Sequence, residues 1–545
     1  MKKPIILLML FFTMLSFGQI ELEHTYNNAL ITRINLEFSG EKYYEFKSAT
    51  NELVLYNDDH TWWKTILLPA PAPSMFTSTR VFHVSEAEFN QDSNLEIIYG
   101  YYNFDAPYYE SKVIAEDGTV LLTIPNALKV TLNKIPGLSN KLITENTANN
   151  VVSKVYSVPE LMLENTYTNG QINRVNLENS GEKYYLLNKT TNEAQLYNTN
   201  HTIWKTVSLP KPSEALYSET AIGVISENRI NTDSLLEIGY SFYTVAGNIY
   251  TYESVIVNEN SDVLLTLPAT FSAKINTIDG LSDKLIATIV HYDNTIGRYY
   301  SSNVYTLPGL ALEKEYDSEI IRVKLENSGE KYFSTNPTDS YARTYNADHT
   351  PWKSIFLDIP FDMYQGSVHV DIISETKIAL DPLLEIGYGY VYYSPLMYTE
   401  YYGRVMNENG LTYLNTTGAQ SYTLSEFPNL PNKLIELINF PDVFENTSNY
   451  QTSVYSIDAT MGTSGFQNKK TIEIAPNPAN SVVNIASTTQ IVEASIFNIL
   501  GAKVKDIKAQ NLTKINVENL SSGMYLLTLL DNNNQKSVHK ITISH

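Results

Sequence analysis

The stretch Arg33-Ile-Asn-Leu-Glu-Phe-Ser-Gly-Glu-Lys-Tyr-Tyr44 decides the fold, because the chain contains it three times. It returns as Arg174-Val-Asn-Leu-Glu-Asn-Ser-Gly-Glu-Lys-Tyr-Tyr185 and as Arg322-Val-Lys-Leu-Glu-Asn-Ser-Gly-Glu-Lys-Tyr-Phe333. Other motifs keep step with it. Tyr56-Asn57, His60-Thr61 and Trp63-Lys64 recur as Tyr197-Asn198, His201-Thr202 and Trp204-Lys205, then as Tyr345-Asn346, His349-Thr350 and Trp352-Lys353. Asp92…Glu96-Ile97 recurs as Asp233…Glu237-Ile238 and Asp381…Glu385-Ile386, and Lys141-Leu-Ile as Lys284-Leu-Ile and Lys433-Leu-Ile. Dense, ordered identity at a period of roughly 145 residues is the mark of internal duplication.

Each long repeat divides again. Short runs of β-branched and aromatic residues alternate with Asn, Gly, Asp and Pro, the punctuation of strands and turns. In the second copy the runs are Arg174–Glu178, Lys183–Asn188, Ala194–Asn198 and Lys205–Leu209, and two further groups of four follow before Tyr316. Four strands in about 45–50 residues is the signature of a propeller blade. The expected body is therefore an all-β, propeller-like array of about nine blades, against an alternative of three consecutive β-rich modules. One detail favours a closed ring. The third sub-unit of copies one and two ends in Leu163-Glu164…Tyr167 and Leu312-Glu313…Tyr316, whereas the last copy lacks this run. A matching Leu22-Glu23-His24-Thr25-Tyr26 precedes copy one and can supply the missing strand. Both edges would then be paired, which removes templates for aggregation.

Composition narrows the function. The chain has 545 residues, 38 Lys+Arg against 59 Asp+Glu, a net charge of -21 and no Cys. Such acidity repels nucleic-acid phosphates and offers no polybasic membrane anchor. Without Cys there is no disulfide framework, thiol catalysis or Cys-ligated zinc. Lys2 and Lys3, the apolar run Ile5 to Phe12, and small Ser16 and Gly18 before Gln19 read as a cleavable secretory signal peptide over residues 1–18. No later run is long enough for a membrane-spanning helix. The expected division is a body at 19–457 (copies at about 22–162, 163–311 and 312–457), a Thr/Ser/Gly/Lys-rich linker at 458–471 and a C-terminal module at 472–545.

That module changes pattern. It opens on Pro476-Asn477-Pro478 and continues in at most seven short strands, as expected for a small β-sandwich. It contains Ile496-Phe497-Asn498-Ile499-Leu500-Gly501, Leu520-Ser521-Ser522-Gly523-Met524-Tyr525 and a basic last strand with Lys536 and Lys540. With these motifs it resembles the type A C-terminal sorting domain of the type IX secretion system of Bacteroidetes. Phe497 stands where the family more often has Tyr, and the chain ends in Ser544-His545 where a second Lys is common. The resemblance implies export through the inner membrane by the signal peptide. The tail would then guide the folded cargo through the outer membrane to the surface or the medium, with the secretion machinery as partner. It assigns the sorting motif to Pro476, Asn477, Pro478, Asn498, Gly501, Leu520, Gly523, Tyr525 and Lys540.

The repeated polar residues of the body read as structure. Equivalent sites around a ring do not converge, so His60, His201 and His349 are expected in turn hydrogen bonds and not at a metal. The Trp residues of the same motif are expected between blades. Each Asp of the Asp…Glu pairs is expected to cap a turn, and each Glu to take part in a blade hydrogen bond. Gly40, Gly181 and Gly329 suit a left-handed turn position. Ser85, Ser226 and Ser374 lack a nucleophile elbow or a repeated His partner. No catalytic, cofactor or metal residue emerges. The function expected is a secreted or cell-surface binding module for glycan or protein. An extracellular hydrolase or lyase built from single-copy residues is the alternative.

Overall fold

The computed structural model describes residues 20–457 and 472–545, apart from 77–79, 90–91, 106–107, 147–151, 248, 294–296, 336–339, 360–367, 380–381, 394–398, 443–446, 488–489, 499–502, 510 and 533–535. Residues 1–19 and 458–471, where the signal peptide and linker are expected, lie outside the described residues. The chain divides into two compact units, a body at 19–459 and a C-terminal unit from 460 onward.

Among the described residues the body forms nine antiparallel sheets in chain order. Their strands cover 32–67, 74–125, 129–167, 173–208, 216–268, 270–316, 320–356, 368–417 and, for the ninth, 419–457. We number these sheets as blades 1 to 9. Eight have four strands; blade 2 has a fifth, Ser74–Met75, which pairs with the end of Glu96–Asn103 on the edge that Val81–Ser85 also takes. Blade 5 opens on the long strand Leu216–Ser226, whose register against Glu237–Ala246 shifts twice.

In blades 2 and 5 the second strand, Glu96–Asn103 and Glu237–Ala246, is buried on both faces over its first six residues. These strands are accordingly near-continuous in Ile, Tyr and Phe. The fourth strand alternates, with Ile66 buried between exposed Thr65 and Leu67. Tyr43, Tyr184 and Tyr332 are fully enclosed at equivalent positions.

The ninth sheet takes its outer strand from the other end of the chain. Ile20–Asn27 pairs antiparallel with Thr447–Ile457, with Leu22 opposite Tyr455 and Tyr26 opposite Thr452. Leu163–Tyr167 and Leu312–Tyr316 occupy the same outer place in blades 3 and 6. Blade 9 also meets blade 1 through contacts seen inside the chain. Arg33 donates to the carbonyls of Ser425 and Pro431 at 2.7 and 2.8 Å. Arg322 donates to Asn276 and Ser282 carbonyls at 3.1 and 2.6 Å, and Arg174 to the Asn133 carbonyl at 3.4 Å. One joint thus recurs at blades 3–4, 6–7 and 9–1, and the last of these closes the ring.

An even strand count returns each blade to the same starting direction. The turns between second and third strands therefore gather on one face of the ring. The turns between first and second, and between third and fourth, gather on the other.

The C-terminal unit packs a three-stranded sheet (Ile472–Ala475, Val482–Ser487, Lys514–Asn516) against a four-stranded one (Ile491–Asn498, Lys503–Lys508, Gly523–Asp531, Lys536–Ile543). Val483, Ile485, Ile496, Ile515, Leu527 and Ile541 fill the space between them. This is the seven-stranded sandwich expected.

Candidate functional site

The repeated motifs resolve into inter-blade joints on the face opposite the second-to-third turns. The tight Ser-Gly-Glu-Lys turn has its glycine at φ +70, +67 and +70 for Gly40, Gly181 and Gly329, a conformation that penalises a Cβ. The exposed main-chain donors of that turn point into the next blade. Glu227 accepts the N–H groups of Asn179 and Ser180 at 2.8 Å each and the Ser180 hydroxyl at 2.5 Å. Glu178 in turn accepts the Glu227 N–H at 2.8 Å. Glu86 and Glu375 make the same clamps. Burial works to raise the Glu227 and Glu375 carboxyls, but the hydroxyl and amide donors outweigh it, and both pKa values fall below the ordinary range. Ser85, Ser226 and Ser374 accept main-chain N–H bonds from the residues that follow them, so they hold a turn.

The His set closes its turns through the main chain, each N–H donating to the Asn57, Asn198 or Asn346 carbonyl, but the rings bind across blades and not within the turn. His60, His201 and His349 sit at φ +64, +64 and +63. Their Nδ1 atoms lie 2.8, 2.7 and 2.8 Å from the hydroxyls of Tyr26, Tyr167 and Tyr316. Their Nε2 atoms face Glu23, Glu164 and Glu313 at 3.5, 3.5 and 3.3 Å, and these glutamates pair with Lys433, Lys141 and Lys284. Each group ties the outer strand of one blade to the next blade. Only the closing joint adds a second imidazole, His24, stacked on His60 at 5.0 Å, where the other copies carry Asn165 and Lys314. No cluster of three metal-ligating side chains exists among the described residues.

Trp63, Trp204 and Trp352 pack against cores shared by neighbouring blades. Each ring also lies under two lysines; for Trp63 these are Lys42 and Lys64 at 5.0 and 4.4 Å. Trp62 departs from the expectation. It is 64% exposed, because alternation along Trp62–Leu67 turns it to the solvent face. Asp92 and Asp233 cap turns by accepting the Asn94 and Leu235 N–H at 2.7 and 2.8 Å, while Asp381 lies outside the described residues. Glu385 accepts main-chain N–H bonds from Ile378 and Ala379. Glu237 departs from the expected blade hydrogen bond: it is fully buried, and neither carboxyl oxygen has a partner outside its own residue. Burial, with the charges of Asp233 and Glu178 adding, pushes it up to about 8.

What breaks the three-fold pattern lies at the second-to-third hairpins. Across blades 5 and 6 aromatic rings touch in a continuous strip. Tyr243 meets Tyr250 and Tyr252 at 5.7 and 5.5 Å, Tyr252 meets Phe271 at 5.3 Å, and Phe271 meets Tyr300 at 6.4 Å. The Arg298 guanidinium lies 5.6, 5.2 and 5.0 Å from the Tyr252, Phe271 and Tyr300 ring centres. Arg298, Tyr292 and Tyr300 share one face of the hairpin by strand alternation. Arg298 is exposed, and Tyr250 and Tyr292 are 44% and 51% exposed. In the other copies Phe271 is matched by Leu128 and Gln420, and Arg298 by Asn149 and Ser448. The strip is invisible in the repeated motifs because it is built from positions at which the three copies differ. The differences between copies were the signal.

A cavity of about 360 Å³ opens between blades 8 and 9, lined in part by Asp371, Lys377, Thr423 and Glu426. Burial raises the Asp371 carboxyl, which accepts the Tyr422 N–H at 2.8 Å and faces His369 at 3.5 Å. Lys377 is held by Glu426 and Glu326 at 2.8 and 3.6 Å.

In the C-terminal unit Asn477 bridges the entry segment to the last strand. Its amide donates to the Lys540 carbonyl at 2.9 Å and accepts the Thr542 N–H at 2.8 Å. Pro476 and Pro478 flank it on the surface. Tyr525 is buried and donates to the Ser521 carbonyl at 2.9 Å. Leu520 packs on the core, and Gly523 opens the strand that carries Tyr525. Asn498 ends its strand, Lys540 is exposed, and Gly501 lies outside the described residues. His545 binds back through its ring to the Leu520 carbonyl at 2.6 Å.

No curated protein matches the chain. Among solved structures it is similar to the Dos1 propeller, at 11% identity and TM-score 0.38 over 80% of this chain and 95% of that one. It is also similar to the V. cholerae biofilm matrix protein Bap1, at 11% identity and TM-score 0.25 over 77% and 75%. A third is the β-propeller domain of the Trilobed protease from Pyrococcus furiosus, at 8% identity and TM-score 0.26 over 59% and 94%. The family model of the secretion system C-terminal sorting domain matches residues 473–544. The C-terminal unit is therefore a type IX sorting domain, and it addresses the chain to the cell surface or the extracellular space.

Proposed function

We propose that the propeller body is an extracellular carbohydrate-binding module, delivered by its tail, and that the strip from Tyr243 to Tyr300 is its ligand platform. One observation carries this: a run of touching rings, edged by the exposed Tyr250 and Tyr292, that spans two blades and, among the described residues, is continuous in one repeat of three. Aromatic faces supply apolar area with a polar rim, which suits the C–H faces and hydroxyls of sugars. A purely structural feature would be expected in all three copies. Retention of the full chain on polysaccharide affinity gels tests the reading. Tyr250→Ala, on an exposed ring, should reduce retention without lowering the melting temperature; unchanged retention would count against the platform.

The hydrolase or lyase alternative has one observation in its favour, the cavity beside Asp371 and His369. Release of reducing ends from polysaccharides that is abolished by Asp371→Asn would support it over binding. For the tail, the reading is that Pro476, Asn477, Pro478, Asn498, Gly501, Leu520, Gly523, Tyr525 and Lys540 shape the surface shown to the secretion machinery. Its support is the double hydrogen bond from Asn477 to the last strand.

A further inference from the structure

Resting on the carbohydrate reading, we infer that the strip between blades 5 and 6 selects anionic polysaccharides, with Arg298 as the residue that reads the carboxylate or sulfate. The chain is acidic, with a net charge of -21. In such a protein most cations near a carboxylate are claimed. Lys64, Lys205 and Lys353 each pair with a glutamate of the neighbouring blade, and Arg33, Arg174 and Arg322 are buried against Glu41, Glu182 and Glu330. Arg298 differs. Among the described residues it forms no ion pair with a carboxylate, and its neighbours are the rings of Tyr252, Phe271 and Tyr300.

Rings on its sides confine the guanidinium without consuming its N–H donors, because an aromatic face is no carboxylate acceptor. A planar fork held in this way suits bidentate contact with a carboxylate or sulfate. The rings around it supply the stacking surface for the sugar that bears the anion. Copy one shows what an equivalent arginine looks like when it is committed elsewhere. Arg80 also lies over the matching tyrosine, Tyr109, at 4.5 Å, but it comes from the segment just before Val81–Ser85 and donates to the Leu128 carbonyl. Arg298 has the same aromatic seat on a hairpin that exposes it.

The test uses the full chain with three probes: sodium alginate, dextran sulfate and neutral dextran. Affinity is measured by titration calorimetry at low and high salt. The expected result is binding of alginate, dextran sulfate or both in preference to dextran. Arg298→Gln should weaken binding of the anionic polymer on the order of tenfold to a hundredfold. Arg298→Lys should recover only part of this, because an ammonium lacks the fork. Binding of alginate alone assigns the carboxylate, and of dextran sulfate alone the sulfate; either supports the inference. Equal affinity for dextran and the anionic polymers, unchanged in Arg298→Gln, overturns the anionic selectivity and leaves the carbohydrate reading standing. Binding to none of the three, with the melting temperature intact, overturns both. Arg298 is exposed, so the variants are expected to fold, and their thermal melts serve as the control.

Discussion

The ring is closed by a single strand from the distant N-terminal end, and Arg33 offers a way to weaken that seam alone. Its side chain is fully buried, bonded to Glu41 at 2.8 Å and to the carbonyls of Ser425 and Pro431. Arg33→Met keeps most of the volume and removes every donor. It leaves Glu41, itself 9% exposed, without its ion-pair partner. Stripping one partner from a buried pair costs about 3–5 kcal/mol. At about 1.4 kcal/mol per tenfold, 3 kcal/mol is more than a hundredfold in an opening equilibrium. Arg174→Met and Arg322→Met remove comparable donors from joints inside the chain. There the covalent link keeps the blades at high effective concentration after the contacts are lost. At the seam the outer strand continues into blade 1 but is held to the rest of blade 9 by pairing alone. Native-state hydrogen exchange should therefore show amides of Ile20–Asn27 accelerated on the order of a hundredfold in Arg33→Met and much less in the other two variants. Unchanged protection of that strand, or equal acceleration in all three variants, would refute the reasoning.

Three shorter predictions follow from other sites. Glu237 has a folded pKa of about 8 against an ordinary 4.5, so the folded state keeps a proton that the unfolded chain loses. The stabilisation this gives is full below pH 4.5 and gone above pH 8. Glu237→Gln should flatten that part of the stability curve and raise stability at pH 8 on the order of a few kcal/mol, as read from urea titrations across pH. Gly329→Ala should cost about 1–2 kcal/mol of unfolding free energy, since φ is +70 and an added Cβ meets no atom within 4 Å. A much larger loss in denaturant would mean that packing, and not the backbone, sets the cost. Asn477→Ala removes two hydrogen bonds between entry and last strand, worth about 1–3 kcal/mol together. Its measure is the melting temperature of the tail together with the fraction of chain delivered outside the cell, and both should fall.

Periodicity made the architecture legible. Strand length, turn residues and the triplicated motifs are local properties, and a residue such as Gly40 needs its left-handed conformation whatever surrounds it. The orphan Leu22–Tyr26 could be matched to Leu163–Tyr167 and Leu312–Tyr316 by identity alone, so the closing strand was also within reach. The tail motifs were readable for the same reason. The site was not. Whether Trp62 or Trp63 faces the neighbouring blade depends on register, and a one-residue shift exchanges them. That Arg298 on one hairpin lies over Tyr252 and Phe271, 46 and 27 positions away in the chain, follows from two blades leaning together. Sequence spacing does not encode that distance. Local chemistry wrote the blades, but only their packing side by side brought one arginine onto one line of rings.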